Sequence, residues 1–221
     1  GRLYEVDPRL RPTGRSGMLA VPLSEFLRYF AEGTGQLWER QSLCKGRIIY
    51  GTEAAAGRAM AVVTEAAYGQ TWTASDAQQI RQMRFRLEET ASKRNLKRGL
   101  GGTVDVEFVV QMLQLRHGGE HPEVREPGTF DALSALHAGG FLAQDDFEKL
   151  SHGYRFQRSI EARIRLMNSA GRHELPDDPT ELSKLAFLLG YRSADALVEE
   201  THDVCRENRA RFERIFDRVT G

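Results

Sequence analysis

The stretch from Lys97 to Gly119, KRGLGGTVDVEFVVQMLQLRHGG, restricts this chain more than any other, because paired glycines bound a segment that is apolar on most sides. From Thr103 the residues Val106, Phe108, Val109, Val110, Met112, Leu113 and Leu115 recur around most of a helical circumference. That pattern marks a helix covered by its neighbours rather than one lying on a surface. The polar exceptions are ordered: Glu107, Gln111 and Gln114 fall at i, i+4 and i+7 on one face, with Asp105 roughly opposite in the first turn. A carboxylate and amide stripe on a buried helix must be met by partner side chains, water or a ligand. Asp105 in that turn complements the helix dipole, and Glu107 with Gln111 fits a polar pair at the core edge. A second reading comes from Lys97 and Arg98 standing before Gly99, Gly101 and Gly102: free backbone N–H groups and positive charge presented to a phosphate.

A chain of 221 residues can bury a core around such a helix without disulfide staples. Its charged residues, 28% of the total, cancel to a net charge of zero, which excludes bulk electrostatic capture of nucleic acid or of an anionic membrane. Neither is expected as a partner. Cys44 and Cys205 stand far apart with no CxxC spacing, as suits a reducing, cytoplasmic setting. No apolar run approaches the roughly 18 residues of a membrane span, and the first residues carry no signal-peptide pattern.

At the start of the chain, Arg2 to Pro12 alternates, with Tyr4, Val6 and Leu10 on one side and Glu5, Asp7, Arg9 and Arg11 on the other, the pattern of a strand with one charged face. Met18 to Pro22 reads as a second short strand, able to form a hairpin across the TGRSG turn. Ser24 is the expected N-cap of the first helix. Helices are expected over Gly35 to Lys45, with Trp38 in the core, over Thr52 to Tyr68, and from a cap at Ser75 onward, while Arg47 to Tyr50 can be helical or extended. After the central helix, HGGEHPEVREPGT is a loop, and its glycines spoil the geometry that would aim His117 and His121 at one metal. Helices follow from Thr129 to Leu136, Gln144 to Met167, Thr180 to Leu189, and from Ser193 to the end. Arg155, Arg158, Arg163 and Arg165 share the long helix and offer either an anionic contact face or a solvated one. The fold class expected is mainly α, a helical bundle following a small β remnant.

Two stretches carry a family resemblance. LYEVDPRLRP, from Leu3 to Pro12, and GGTVDVEFVVQMLQL, from Gly101 to Leu115, resemble the glutamine synthetase adenylyltransferase family, as do GQLWERQSLCKGRIIYG and LPDDPTELSKLAFLLGY. The resemblance implies a nucleotidyltransferase domain followed by a helical domain, in an enzyme that adds AMP from ATP to a tyrosine of glutamine synthetase or removes it. It divides the chain into a nucleotidyltransferase remnant, 1–50, and a helical bundle, 51–221. The related enzyme that uridylylates the PII-type signal protein shares parts of this architecture, which brings in glutamine synthetase and a PII-type protein as expected partners.

For the site, the resemblance makes Asp7 the third carboxylate of a Mg2+ set, with Arg9 and Arg11 contacting phosphate or orienting the acids. It makes Asp105 and Glu107 the paired acids of a GGxxDxEF motif, closing the cleft by contact with metal-bound water, nucleotide or the glycine loop. Lys97, with Gly101 and Gly102, is the expected phosphate contact. The Gly-Ser and D-x-D motif that supplies the other carboxylates in such enzymes does not occur in these residues, so the chain is expected to be an inactive fragment by itself. LYEVD and Asp105 lean towards the adenylylating half, whereas RHGG resembles the other. A regulatory module that binds a PII-type protein or glutamine synthetase, and a plain helical scaffold, remain as alternatives.

Overall fold

The computed structural model describes Asp7, residues 11–168 apart from the side chains of Arg15 and Asn168, and residues 173–220. Within these, α1 (Leu23–Ala31), α2 (Leu37–Leu43), α3 (Glu53–Tyr68) and α4 (Ala74–Glu89) lead to the glycine-opened helix α5 (Thr103–His117). Then come α6 (Thr129–Ala138), α7 (Gln144–Asn168), α8 (Pro179–Leu188) and α9 (Ala194–Thr220). The chain is mainly α, a helical bundle. Helix α5 is its axis, contacted by α2, α4, α6, α7 and α9, and its apolar residues have no exposed face: Val106, Val109 and Met112 are all fully buried. Around them Leu133 and Leu136 of α6, Leu150 of α7 and Phe212 and Phe216 of α9 complete the main core. A smaller core joins Leu96 and Leu175 to Ile160 and Ile164 of α7, Leu185 of α8 and Leu197 of α9.

Short polar side chains start the helices where amide donors would otherwise be orphaned. Thr52 Oγ1 accepts from the Ala55 N–H, Asp178 Oδ1 from the Glu181 N–H ahead of Pro179, and Ser193 Oγ from the Ala196 N–H. Three expected helix starts shift by two residues. Thr73 with Asp76, not Ser75, forms the capping box of α4; Asp178 replaces Thr180 before α8; and Ser24 lies inside the first turn of α1.

Of the expected β remnant, the described residues contain one part in full, Met18 to Pro22. Most of the strand proposed over Arg2 to Pro12 lies outside the described residues, Arg9 included. Met18 to Pro22 is irregular, with Met18 72% and Leu19 76% exposed. Five residues make a strand only with a neighbour to pair with, and among the described residues the one β pairing is an isolated bridge between Asn95 and Glu174. Arg47 to Tyr50 is likewise irregular, and Ile49 and Tyr50 are exposed. Trp38 is not core: it is 38% exposed and its Nε1 donates to Gln36 Oε1 at 3.0 Å, because α2 turns Glu39, Arg40 and Gln41 inward instead.

Candidate functional site

The glycine loop before α5 is a locked structure. Gly101 adopts φ 67°, in the left-handed region, and a Cβ built on it would sit 1.8 Å from the carbonyl oxygen of Cys205 in α9. The loop amides are consumed internally: Gly99 N–H donates to Asn95 O at 3.0 Å, Gly102 N–H to Gly99 O at 3.0 Å, Thr103 N–H to Leu96 O at 2.9 Å and Val104 N–H to Lys97 O at 3.1 Å. Asn95 Oδ1 takes the Lys97 and Arg98 amides at 3.0 and 2.8 Å. The expected phosphate cradle of free glycine amides is therefore not what this loop offers. Gly101 and Gly102 are buried, and their donors satisfy the chain itself. Lys97 is half-buried and Arg98 exposed, so of that doublet only side chains remain for an anion.

Asp105 completes the lock. It is fully buried, its Oδ2 accepts the Gly101 N–H at 3.0 Å, and its carboxylate pairs with Arg84 of α4 through Oδ1 and with Arg209 of α9, whose Nε lies 3.1 Å from Oδ2. Arg84 also donates to Gly99 O at 2.7 Å and stands 3.3 Å from Glu88, which in turn pairs with Arg209. From the other side, Gln157 Nε2 and Asn208 Nδ2 donate to Gly101 O at 2.8 and 3.0 Å. Two guanidiniums and two carboxylates thus close on one another around the loop. Of the contacts expected for Asp105, the glycine loop is the one it makes.

Burial pushes the Asp105 carboxyl from its ordinary 3.8 up to about 6, with Arg84 and Arg209 opposing the rise. A folded value above the unfolded one means that the stability tied to this group is complete below about pH 4 and is lost as pH rises through about 6. Asp105→Asn removes that titration. The stability advantage of the wild type over Asp105→Asn should therefore shrink by roughly 3 kcal/mol from acid to neutral pH, read by urea denaturation at both. A gap that widened towards neutral pH would mean that the arginines outweigh burial.

Glu107 lies two residues on, about 200° around the helix, and faces other elements. Tyr154 of α7 donates its hydroxyl to Glu107 Oε1 at 3.0 Å, and Lys45, just beyond α2, brings Nζ within 3.2 Å of the same oxygen. The Glu107 side chain is 21% exposed. The rest of the stripe is answered from within: Gln41 Nε2 donates to Gln111 Oε1 at 2.7 Å, and Gln114 Nε2 donates to the carbonyls of Val124 and Glu126, each at 2.8 Å. Asp105 and Glu107 thus belong to two clusters, one sealed and one reaching solvent.

Comparison with known proteins matches residues 1–62 to the family model described as glutamate-ammonia ligase adenylyltransferase and residues 73–220 to that described as GlnD PII-uridylyltransferase. Three curated relatives carry the name bifunctional glutamine synthetase adenylyltransferase/adenylyl-removing enzyme. That of Streptomyces coelicolor is 37% identical over 201 residues, 87% of this chain and 20% of the relative. That of Nocardia farcinica is 38% identical over 186 residues, 80% of this chain and 18% of the relative. That of Agrobacterium fabrum is 30% identical over 227 residues, 100% of this chain and 23% of the relative. The chain belongs to the glutamine synthetase adenylyltransferase family. It spans about a fifth of the length of the relatives it matches.

Within this adenylyltransferase family member the two matched segments meet at the Glu107 cluster, since Lys45 comes from the first and Glu107 and Tyr154 from the second. Asp7 is exposed, and Arg11 Nε donates to Gly17 O at 3.2 Å. Among the described residues no group of three or more His, Cys, Asp or Glu side chains is placed to hold a metal ion. The adenylyltransferase motif does not reveal Arg84, Arg209, Asn208 or Tyr154. Periodicity does hold a signal for three of them. Arg84 stands four residues after buried Ile80, while Asn208 stands four after Val204 and Tyr154 four after Leu150, all on the core register.

Proposed function

We propose that this chain is the helical part of a cytoplasmic adenylyltransferase, with the segment leading into it, and that it completes a cleft in which AMP passes from ATP to a tyrosine of glutamine synthetase. The observation that carries this reading is the ion pair between Lys45 and Glu107, which ties the segment matched as adenylyltransferase to the helix of the GGxxDxEF motif. Glu107 is the motif carboxylate that reaches solvent and is assigned the contact with the nucleotide side. Asp105 is assigned the task of fixing the glycine loop. Lys97 is assigned a phosphate contact through its ammonium group, and Asp7, with Arg9 and Arg11, the edge of the Mg2+ and ATP site in the nucleotidyltransferase part, for which 1–50 is the proposed share of this chain. The adenylyl-removing half of the same bifunctional enzyme would use the same parts.

A second reading, a docking module for a PII-type protein or for glutamine synthetase, draws on Arg155, which is exposed with its guanidinium 5.5 Å from the ring centre of Phe130. Against it, Arg158 is paired with Glu161 at 2.6 Å, so the expected arginine face is partly neutralised. Mixing the isolated chain with ATP, Mg2+ and glutamine synthetase should incorporate no AMP, and calorimetric titration with either protein should show no tight complex. Substantial adenylylation would overturn the fragment reading, and tight binding would favour the docking module.

A further inference from the structure

Glu107 would be a poor contributor to any reaction if its carboxylate swung freely, and of its two neighbours only one can stop it. Lys45 has a flexible stem and a side chain that is 38% exposed, so its ammonium follows the carboxylate rather than directing it. Tyr154 is 7% exposed and has few rotatable bonds. Its ring meets Phe130, in the first turn of α6, edge to face with centroids 5.0 Å apart. Burial, reinforced by the charge of Glu107, raises the phenol to about 12, which keeps it a donor at neutral pH.

We infer that Tyr154 is the positioning residue for Glu107: its hydroxyl, on a ring held against Phe130, anchors Oε1 so that Oε2 is left to meet the nucleotide side of the cleft. This rests on the reading of Glu107 proposed above. Because the hydroxyl acts only through the carboxylate, its loss matters only while the carboxylate is present. A donor to a charged acceptor that strengthens positioning is worth on the order of tenfold in rate.

The test uses the full-length adenylyltransferase containing this segment, with glutamine synthetase and ATP. Tyr154→Phe keeps the ring and its packing and should lower kcat about tenfold while KM for ATP stays within about twofold. Glu107→Gln should lower kcat further, and Tyr154→Phe added to Glu107→Gln should cost nothing more. Unchanged turnover in Tyr154→Phe, or losses that multiply in the double variant, would overturn the positioning role while leaving Glu107 in place. An inert Glu107→Gln would overturn the reading of Glu107 itself and Tyr154's part with it. Thermal melting of each variant detects a loss of activity that is only a loss of fold.

Discussion

Gly101→Ala should leave the chain unable to hold its native bundle, with a loss of more than about 4 kcal/mol in urea denaturation, among the largest effects a single methyl can produce. Two costs add at this position. An alanine at φ 67° sits in the left-handed region, worth roughly 1 kcal/mol. The larger cost is steric, because the new Cβ would lie 1.8 Å from the Cys205 carbonyl oxygen and 2.7 Å from its Cα. These are backbone atoms in the middle of α9, so relief requires the helix to move away from α5 and α7 together. Gly190→Ala separates the two costs: it has φ 81° and nothing within 4 Å of its Cβ, so it should lose only about 1 kcal/mol. Equal losses in the two variants would mean that the α9 approach is not as tight as described.

Arg84→Ala should cost about 3 to 5 kcal/mol, because removing one partner of a buried pair strands the other. Arg84 and Asp105 are both fully buried, and Arg84 in addition satisfies the Gly99 carbonyl and faces Glu88. After truncation Arg209 would be the one guanidinium of the cluster left to answer Asp105 and Glu88. Arg81→Ala, one turn away on α4, is the matched control. It breaks an ion pair with Asp217 whose side chains are 26% and 63% exposed, and should cost no more than about 1 kcal/mol. Guanidinium chloride would screen these charges, so urea is the denaturant to use.

These two positions also define what could be read from the residues. The burial of α5 was legible because its apolar side chains leave no polar arc except the Glu107, Gln111 and Gln114 stripe. What satisfies that stripe was not legible, because Gln41, Tyr154 and the Val124 and Glu126 carbonyls reach it from three other elements. The two motif acids were readable as opposite one another from their spacing alone, and the structure keeps them apart even though the family motif names them together. The glycine loop was misread as a phosphate cradle because sequence shows which amides start a helix but not which carbonyls of the preceding turn fold back to take them. The short strand expected over Met18 to Pro22 is absent for a related reason: a run of five apolar residues fits an extended loop as well as a strand, and only a neighbouring strand decides between them.

The proposed division of labour between a sealed acid that holds the loop and a reachable acid assigned to the reaction is tested most directly by one substitution. In the full-length adenylyltransferase containing this segment, incorporation of AMP into glutamine synthetase should fall about 100-fold with Glu107→Ala. Thermal stability and affinity for glutamine synthetase should stay close to the wild type. A turnover within about twofold of the wild type would contradict the account, since effects of that size need no contact with the reacting groups.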